Sequence, residues 1–283
     1  MAQSAGQKSC RHRTRGCARL MDLPTTLTGA ALQVMDAPDP ADKVRLTYAF
    51  AKAWQGGDIS DIGDTPPPPR PARPEHPILT RPGDMPKRSK GGAKGRVALV
   101  HAIQHIELNA IDLAWDIIAR FASPDLPKGF YDDWVKVADD EARHFEMLGV
   151  RLNELGASYG DLPAHDGLWE AATKTSDDVL ARLALVPMLL EARGLDTTPA
   201  TVTRLQGNGD AATASIMSEI CEDEISHVAA GVRWFEYVCK QRQVEPIATY
   251  QNLIRERYNG QVRGPFNQDA RDRAQFNRAY YEP

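Results

Sequence analysis

One five-residue pattern occurs twice in this chain, as Asp140-Glu141-Ala142-Arg143-His144 and as Asp223-Glu224-Ile225-Ser226-His227. It constrains the fold because each copy interrupts an apolar stripe of helical period. In the segment from about 131 to 155 the stripe is Trp134, Val137, Leu148, Leu152 and Leu155. In the segment from about 210 to 240 it is Met217, Ile220, Val228, Gly231 and Val238. Residues three apart share a helix face, so each Glu/His pair faces the side its stripe would bury. Two further segments repeat the anomaly with one carboxylate each. From about 95 to 121, Glu107 falls between Ile103 and Ala110; from about 176, Leu180, Ala184, Pro187 and Leu190 lead to Glu191. Pro187 predicts a kink in that third helix. Four long helices in series without a strand signal predict an all-α four-helix bundle.

A carboxylate removed from water without a partner is costly. Four of them, one per helix and accompanied by two histidines, require a shared counter-charge, and metal supplies it. Four carboxylates balance two divalent cations. Glu107, Glu141, His144, Glu191, Glu224 and His227 are therefore the candidate metal ligands. Oxygen-rich ligation with one imidazole per ion suits iron or manganese better than structural zinc. The spacing agrees: Glu107 to Glu141 is 34 positions and Glu191 to Glu224 is 33, as if one helical hairpin were used twice. The aspartates before the motif glutamates add a second level. A ligand histidine usually gives its other ring proton to a carboxylate or carbonyl. In a pseudo-twofold bundle Asp140 would orient His227, and Asp223 would orient His144.

These motifs resemble the ferritin-like di-iron carboxylate superfamily. The doubled Asp-Glu-x-x-His is similar to that of bacterial multicomponent monooxygenases and ribonucleotide reductase small subunits. The set His105-Ile106-Glu107, Asp140-Glu141-Ala142-Arg143-His144, Glu191-Ala192-Arg193-Gly194-Leu195-Asp196 and Asp223-Glu224-Ile225-Ser226-His227 resembles an uncharacterised bacterial ferritin-like family, over about residues 21–265. Glu191-Ala192-Arg193 is also similar to a stretch of the tRNA-modifying di-iron hydroxylase. The resemblance implies a ferritin-like bundle, two iron ions (or manganese, or a mixed Mn/Fe pair), and oxidoreductase chemistry with O2. Glu141 and Glu224 would bridge the metals, Glu107 and Glu191 would be terminal, and an external reductase would return electrons. Asp140, Asp223 and Arg193 are the candidate catalytic residues beyond the ligands. A ferroxidase, peroxidase or manganese catalase would use the same ligands, and a non-enzymatic helical module is the remaining alternative. The substrate is not named by any of these residues.

Outside the bundle, residues 40–55 read as a short amphipathic helix, with Asp39 as N-cap and Gly56-Gly57 as its end. Nine of the 20 prolines then fall between Pro66 and Pro86. Proline fixes φ and lacks the amide proton, so this stretch is extended, and it is expected to lie along the bundle's surface away from the ligands. The implied organisation is a disordered leader (1–20), an N-terminal helix and Pro-rich arm (21–92), the bundle (93–245), and a C-terminal helix near 246–258 with a tail to 283. At 100° per residue His105 and His101 lie about 200° and 240° round from Glu107, so packing rather than metal binding is expected of them. Cys221, Trp134 and Trp234 are expected in the core. Cys10 and Cys17 lie in the leader; Cys221 and Cys239 are about 27 Å apart along one helix and cannot pair.

Four cysteines make no disulfide scaffold in a chain this long, so a reducing cytoplasm is expected, and the absence of a long apolar run predicts no membrane partner. The basic cluster Lys87, Arg88, Lys90, Lys94 and Arg96 admits nucleic acid without favouring it. A homodimer is compatible with the bundle.

Overall fold

The computed structural model describes residues 23–85, 92–258 and 260–282. The leader with Cys10 and Cys17, and Lys87, Arg88 and Lys90 of the basic cluster, lie outside the described residues. The described chain is all-helical, and its regular elements follow from local signals. Helix α1 (Leu27–Asp36) starts at Thr26, whose hydroxyl accepts from Gly29 N at 3.2 Å. Helix α2 (Pro40–Gly56) has Asp39 as N-cap, proline in its first turn, and Gly57 at φ 82° where the chain must turn left-handed. Residues 61–81 run extended. They are fastened by Ala72 N to Met35 O at 2.8 Å and by a bridge from Leu79 to Ala164. A short turn, Pro82–Asp84, follows.

Four long helical stretches form the bundle. Helix α3 is Gly92–Arg120 and α4 is Lys128–Glu154. After a short α5 (Gly167–Lys174), the third stretch is split into α6 (Val179–Leu185), a π-helix (Val186–Glu191) and α7 (Ala192–Gly207). Helix α8 (Ala211–Arg242) is the fourth, begun by Asp210, which accepts from Thr213 N. Helix α9 (Pro246–Arg257), α10 (Gln268–Arg273) and a final turn (Arg278–Tyr280) close the chain. Helix α3 packs chiefly on α4, and α7 on α8; α1 and α2 cover α3 and α4. Their side chains share one hydrophobic core that includes Trp115, Phe130, Trp134 and Trp234.

The break at Pro187 takes the form of a π-helix. Its wider turn passes close to α8 at Gly231, where an added Cβ would stand 2.6 Å from Pro187 Cβ. Glycine is required there by close approach, and the π segment ends on Glu191. Such segments occur mostly as single turns inside α-helices, frequently at functional sites.

Candidate metal centre

The four helical stretches bring the six proposed ligands to one place. Glu107 comes from α3, Glu141 and His144 from α4, Glu191 from the π-helix, and Glu224 and His227 from α8. One oxygen or nitrogen from each of Glu107, Glu141, His144 and Glu224 lies within 4.8 Å of the others. His227 joins this group with Nδ1 3.1 Å from Glu141 Oε1 and 3.4 Å from Glu224 Oε2. His144 Nδ1 lies 3.4 Å from Glu141 Oε2 and 3.5 Å from Glu107 Oε2. Glu141 thus places one oxygen toward each histidine. Glu191 lies beside Glu224 and Glu141, close enough for their charges to act on it, and opens onto the same cavity.

The atoms that face one another here make no directed hydrogen bonds. Both oxygens of Glu141, one each of Glu191 and Glu224, and Nδ1 of both histidines are buried without a hydrogen-bond partner. Buried polar atoms are normally satisfied, and a cluster of exceptions calls for a ligand. Hard oxygens and imidazole nitrogens around a buried point, with carboxylates outnumbering histidines, are donors for a divalent cation.

The other ring nitrogens are accounted for. His227 Nε2 lies 3.2 Å from Asp140 Oδ2, and His144 Nε2 lies 3.1 Å from Asp223 Oδ2. A carboxylate only accepts, so each Nε2 carries a proton, and with a cation bound each ring would be neutral and present its Nδ1 lone pair to the cluster. The crossed pairing expected from the doubled motif is therefore present. Sequence reasoning missed what steadies the aspartates. Arg143 donates to Asp223 at 2.5 Å and to Glu219 at 2.8 Å, with Asp140 at 3.9 Å, and Lys136 pairs with Asp140. The signal was available, since Arg143 lies inside the first motif. For Asp140, burial pushes the carboxyl up but is outweighed by His227 and Lys136, which bring it to about 2.

In the metal-free protein the cluster holds protons. Burial first, then the charge of neighbouring glutamates, pushes Glu107, Glu191 and Glu224 above the ordinary carboxylate range. Burial would lower His144, but Glu107 and Glu141 outweigh it and raise it to about 11; His227 is raised likewise by Glu224, Asp140 and Glu141. Glu141 goes the other way, because Glu107 and both histidines outweigh its burial.

A cavity of about 340 Å³ opens beside the carboxylates. Glu107, Glu141, Glu191 and Glu224 line it at the cluster, and Ile103, Leu113, Leu190, Met217 and Ile220 supply apolar walls. Cys221, expected in the core, is half-buried and lines this cavity; Trp134 and Trp234 are buried as expected. Arg193 is directed to the C-terminal tail rather than to the cluster: its Nη1 donates to Arg263 O at 2.8 Å and reaches Asp196 Oδ2 at 3.4 Å. His105 and His101 are turned away, as expected. They meet the 156–166 loop: His105 Nδ1 is 2.8 Å from Tyr159 Oη, and His101 Nε2 accepts from Gly160 N at 3.0 Å. No described helix is long and apolar enough to cross a membrane.

A family model described as "Protein of unknown function (DUF455)" matches residues 36–282. A protein of Haemophilus influenzae, described as an uncharacterized protein, is 41% identical over 207 residues, covering 71% of this chain and 72% of that one. No solved structure matches the chain. By the extent of the family match, the chain belongs to the DUF455 family.

Proposed function

We propose that this DUF455 protein is a non-haem di-iron oxidoreductase of ferritin-like architecture, which activates O2 to hydroxylate or oxidise an organic substrate. The observation that carries the reading is the convergence of buried, unpartnered ligand atoms from four helices on one point. Glu107, Glu141, His144 and Glu224 would hold one ion, and Glu141, Glu224, His227 and Glu191 the other. Glu141 would span the two, since its oxygens face different histidines. When bound, a pair of ferrous ions supplies the electrons that reduce O2.

The chain's own residues set the conditions for that chemistry. Asp140 and Asp223 fix the histidine tautomer and ring orientation. The four glutamates would neutralise two divalent ions, leaving no net charge buried at the cluster. Apolar walls of the cavity flank the face of the cluster that Glu107, Glu191 and Glu224 share. That cavity favours substrate oxidation over bare iron handling, and an external reductase is the partner the cycle requires.

The test is anaerobic loading with Fe(II), followed by O2. Uptake of O2 with oxidation of the bound metal is the expected result. A loaded protein that consumes no O2 overturns the proposal. Rapid H2O2 dismutation by manganese-loaded protein would instead place the chemistry in the catalase class.

A further inference from the structure

The walls of the cavity hold more information than its apolar character. It extends along α3 from Glu107 to Leu99 and along α8 from Glu224 to Met217, about 10–12 Å at the helical rise. Its volume is within the range of small-molecule sites, which combine apolar walls with a few placed polar groups. Among the lining residues Arg193 is the one cation. Its side chain is 45% exposed. The C-terminal tail presets it: Nη1 is held by the carbonyls of Arg263 and Pro265 at 2.8 and 3.5 Å.

The four glutamates of the cavity belong to the cluster, and Arg193 is paired with a carboxylate outside it. Asp196, the carboxylate near Arg193, is already engaged by Arg271, which donates to both of its oxygens at 2.9 and 2.8 Å. Two guanidinium groups thus share one carboxylate, so Asp196 alone does not neutralise Arg193. The threonines beside it do not compete as donors. Thr197 Oγ1 donates to Arg193 O, and Thr201 Oγ1 to Thr197 O.

Gly194 adds a second, independent observation. It lines the cavity within α7, and an added Cβ would meet nothing within 4 Å. Glycine inside a helix costs about 0.5–1 kcal/mol relative to alanine, so neither local stability nor close packing calls for it. Its backbone is not in the left-handed region either. What glycine provides there is open space at the cavity wall.

We propose that this cavity binds an apolar organic acid, with the hydrocarbon body in the chamber and the carboxylate on Arg193, admitted past Gly194. As the site of a reaction it rests on the di-iron reading; as a binding site it stands apart from it. The guanidinium offers planar, paired donors that suit a carboxylate.

The test uses the full chain loaded with redox-inert Zn(II), and in parallel the metal-free chain. Octanoate, 1-octanol and octylamine are titrated by calorimetry, with bound metal counted separately. Octanoate is expected to bind at least about tenfold more tightly than octanol, with octylamine weakest. Arg193→Met should reduce octanoate to the level of octanol, while Arg193→Lys should keep part of the preference. Gly194→Leu should weaken all ligands about tenfold or more at unchanged metal stoichiometry. Gly194→Ala, whose methyl meets no atom, guards against a folding artefact and should fall between. Octanoate binding no tighter than octanol, or a preference that survives in Arg193→Met, overturns the proposal. A protein that takes up no metal yet binds octanoate through Arg193 overturns the di-iron reading and leaves this one standing.

Discussion

Helix α3 buries carboxylates on two sides. Glu107 faces the cluster, while Asp112 and Asp116 lie about 140° and 180° round the helix from it. Asp112 receives Lys43 Nζ at 2.7 Å and also pairs with Arg73 of the extended arm. Lys43 in turn donates to Val34 O at 2.9 Å, closing the end of α1. Asp116 receives Arg182 Nη1 at 2.5 Å and Arg120 Nη2 at 2.6 Å. Arg182 is itself completed by Thr175 Oγ1 and Ala172 O. Every acid on that side is met by cations of the chain. On the Glu107 side, carboxylates meet carboxylates, and ligand atoms remain without hydrogen bonds. The difference separates two uses of buried charge. One set fastens helices and the arm together, and the other, in the proposed function, would take its counter-charge from bound cations.

The largest expected effect breaks the fastening set. Asp112→Ala strands Lys43 and Arg73 and should destabilise the metal-free protein by about 3–5 kcal/mol in chemical denaturation. Glu191→Gln, on the other side, should leave metal-free stability unchanged or raised, because it removes a buried acid with an unpartnered oxygen. Equal destabilisation by the two would erase the distinction. Next in size is metal itself. Divalent metal at about one hundred times its Kd should stabilise the wild type by about 2.7 kcal/mol and do nothing for Glu141→Ala. Thermal melts with and without Fe(II) under anaerobic conditions measure both.

Smaller again is the contribution of the aspartates. Asp140→Asn and Asp223→Asn should each weaken metal binding by about 10–100-fold. Metal-competition titration reads this change, and an unaltered affinity would show that the crossed pairing is idle. The gentlest effect is on pH. Glu107, Glu191 and Glu224 have folded pKa values above their ordinary 4.5. Their contribution to metal-free stability is complete below about 4.5 and is lost as pH rises through the folded values. Metal requires those same protons to leave, so its affinity rises with pH. The gap in Tm between loaded and metal-free protein should therefore widen between about pH 5 and about pH 8, and a gap that narrows would contradict the proton-held cluster.

The two sides of α3 were not equally legible. The cluster could be read because its residues repeat. Two copies of one motif fix which faces converge and which aspartate meets which histidine. Asp112 and Asp116 have no repeat, and their partners Lys43 and Arg182 stand 69 and 66 positions away. A signal existed in the run Ala110 to Ile118, which is apolar except for Asp112 and Asp116. A helix apolar all round is buried all round, so acids within it must be paired. Helices α1, α5 and α10 were not anticipated; with 10, 8 and 6 residues, their stability comes from packing rather than local propensity. Pro187 marked the break in the third helix, but the π-helical form depends on the close approach of Gly231, which sequence distance hides.

The proposed function requires two ions, which Glu141 and Glu224 would hold jointly. Anomalous diffraction at the iron edge from anaerobically loaded crystals tests it most directly. Two iron peaks roughly 3.5–4 Å apart are expected, each near one histidine Nδ1. A single peak, or iron bound anywhere but at these six residues, would contradict it.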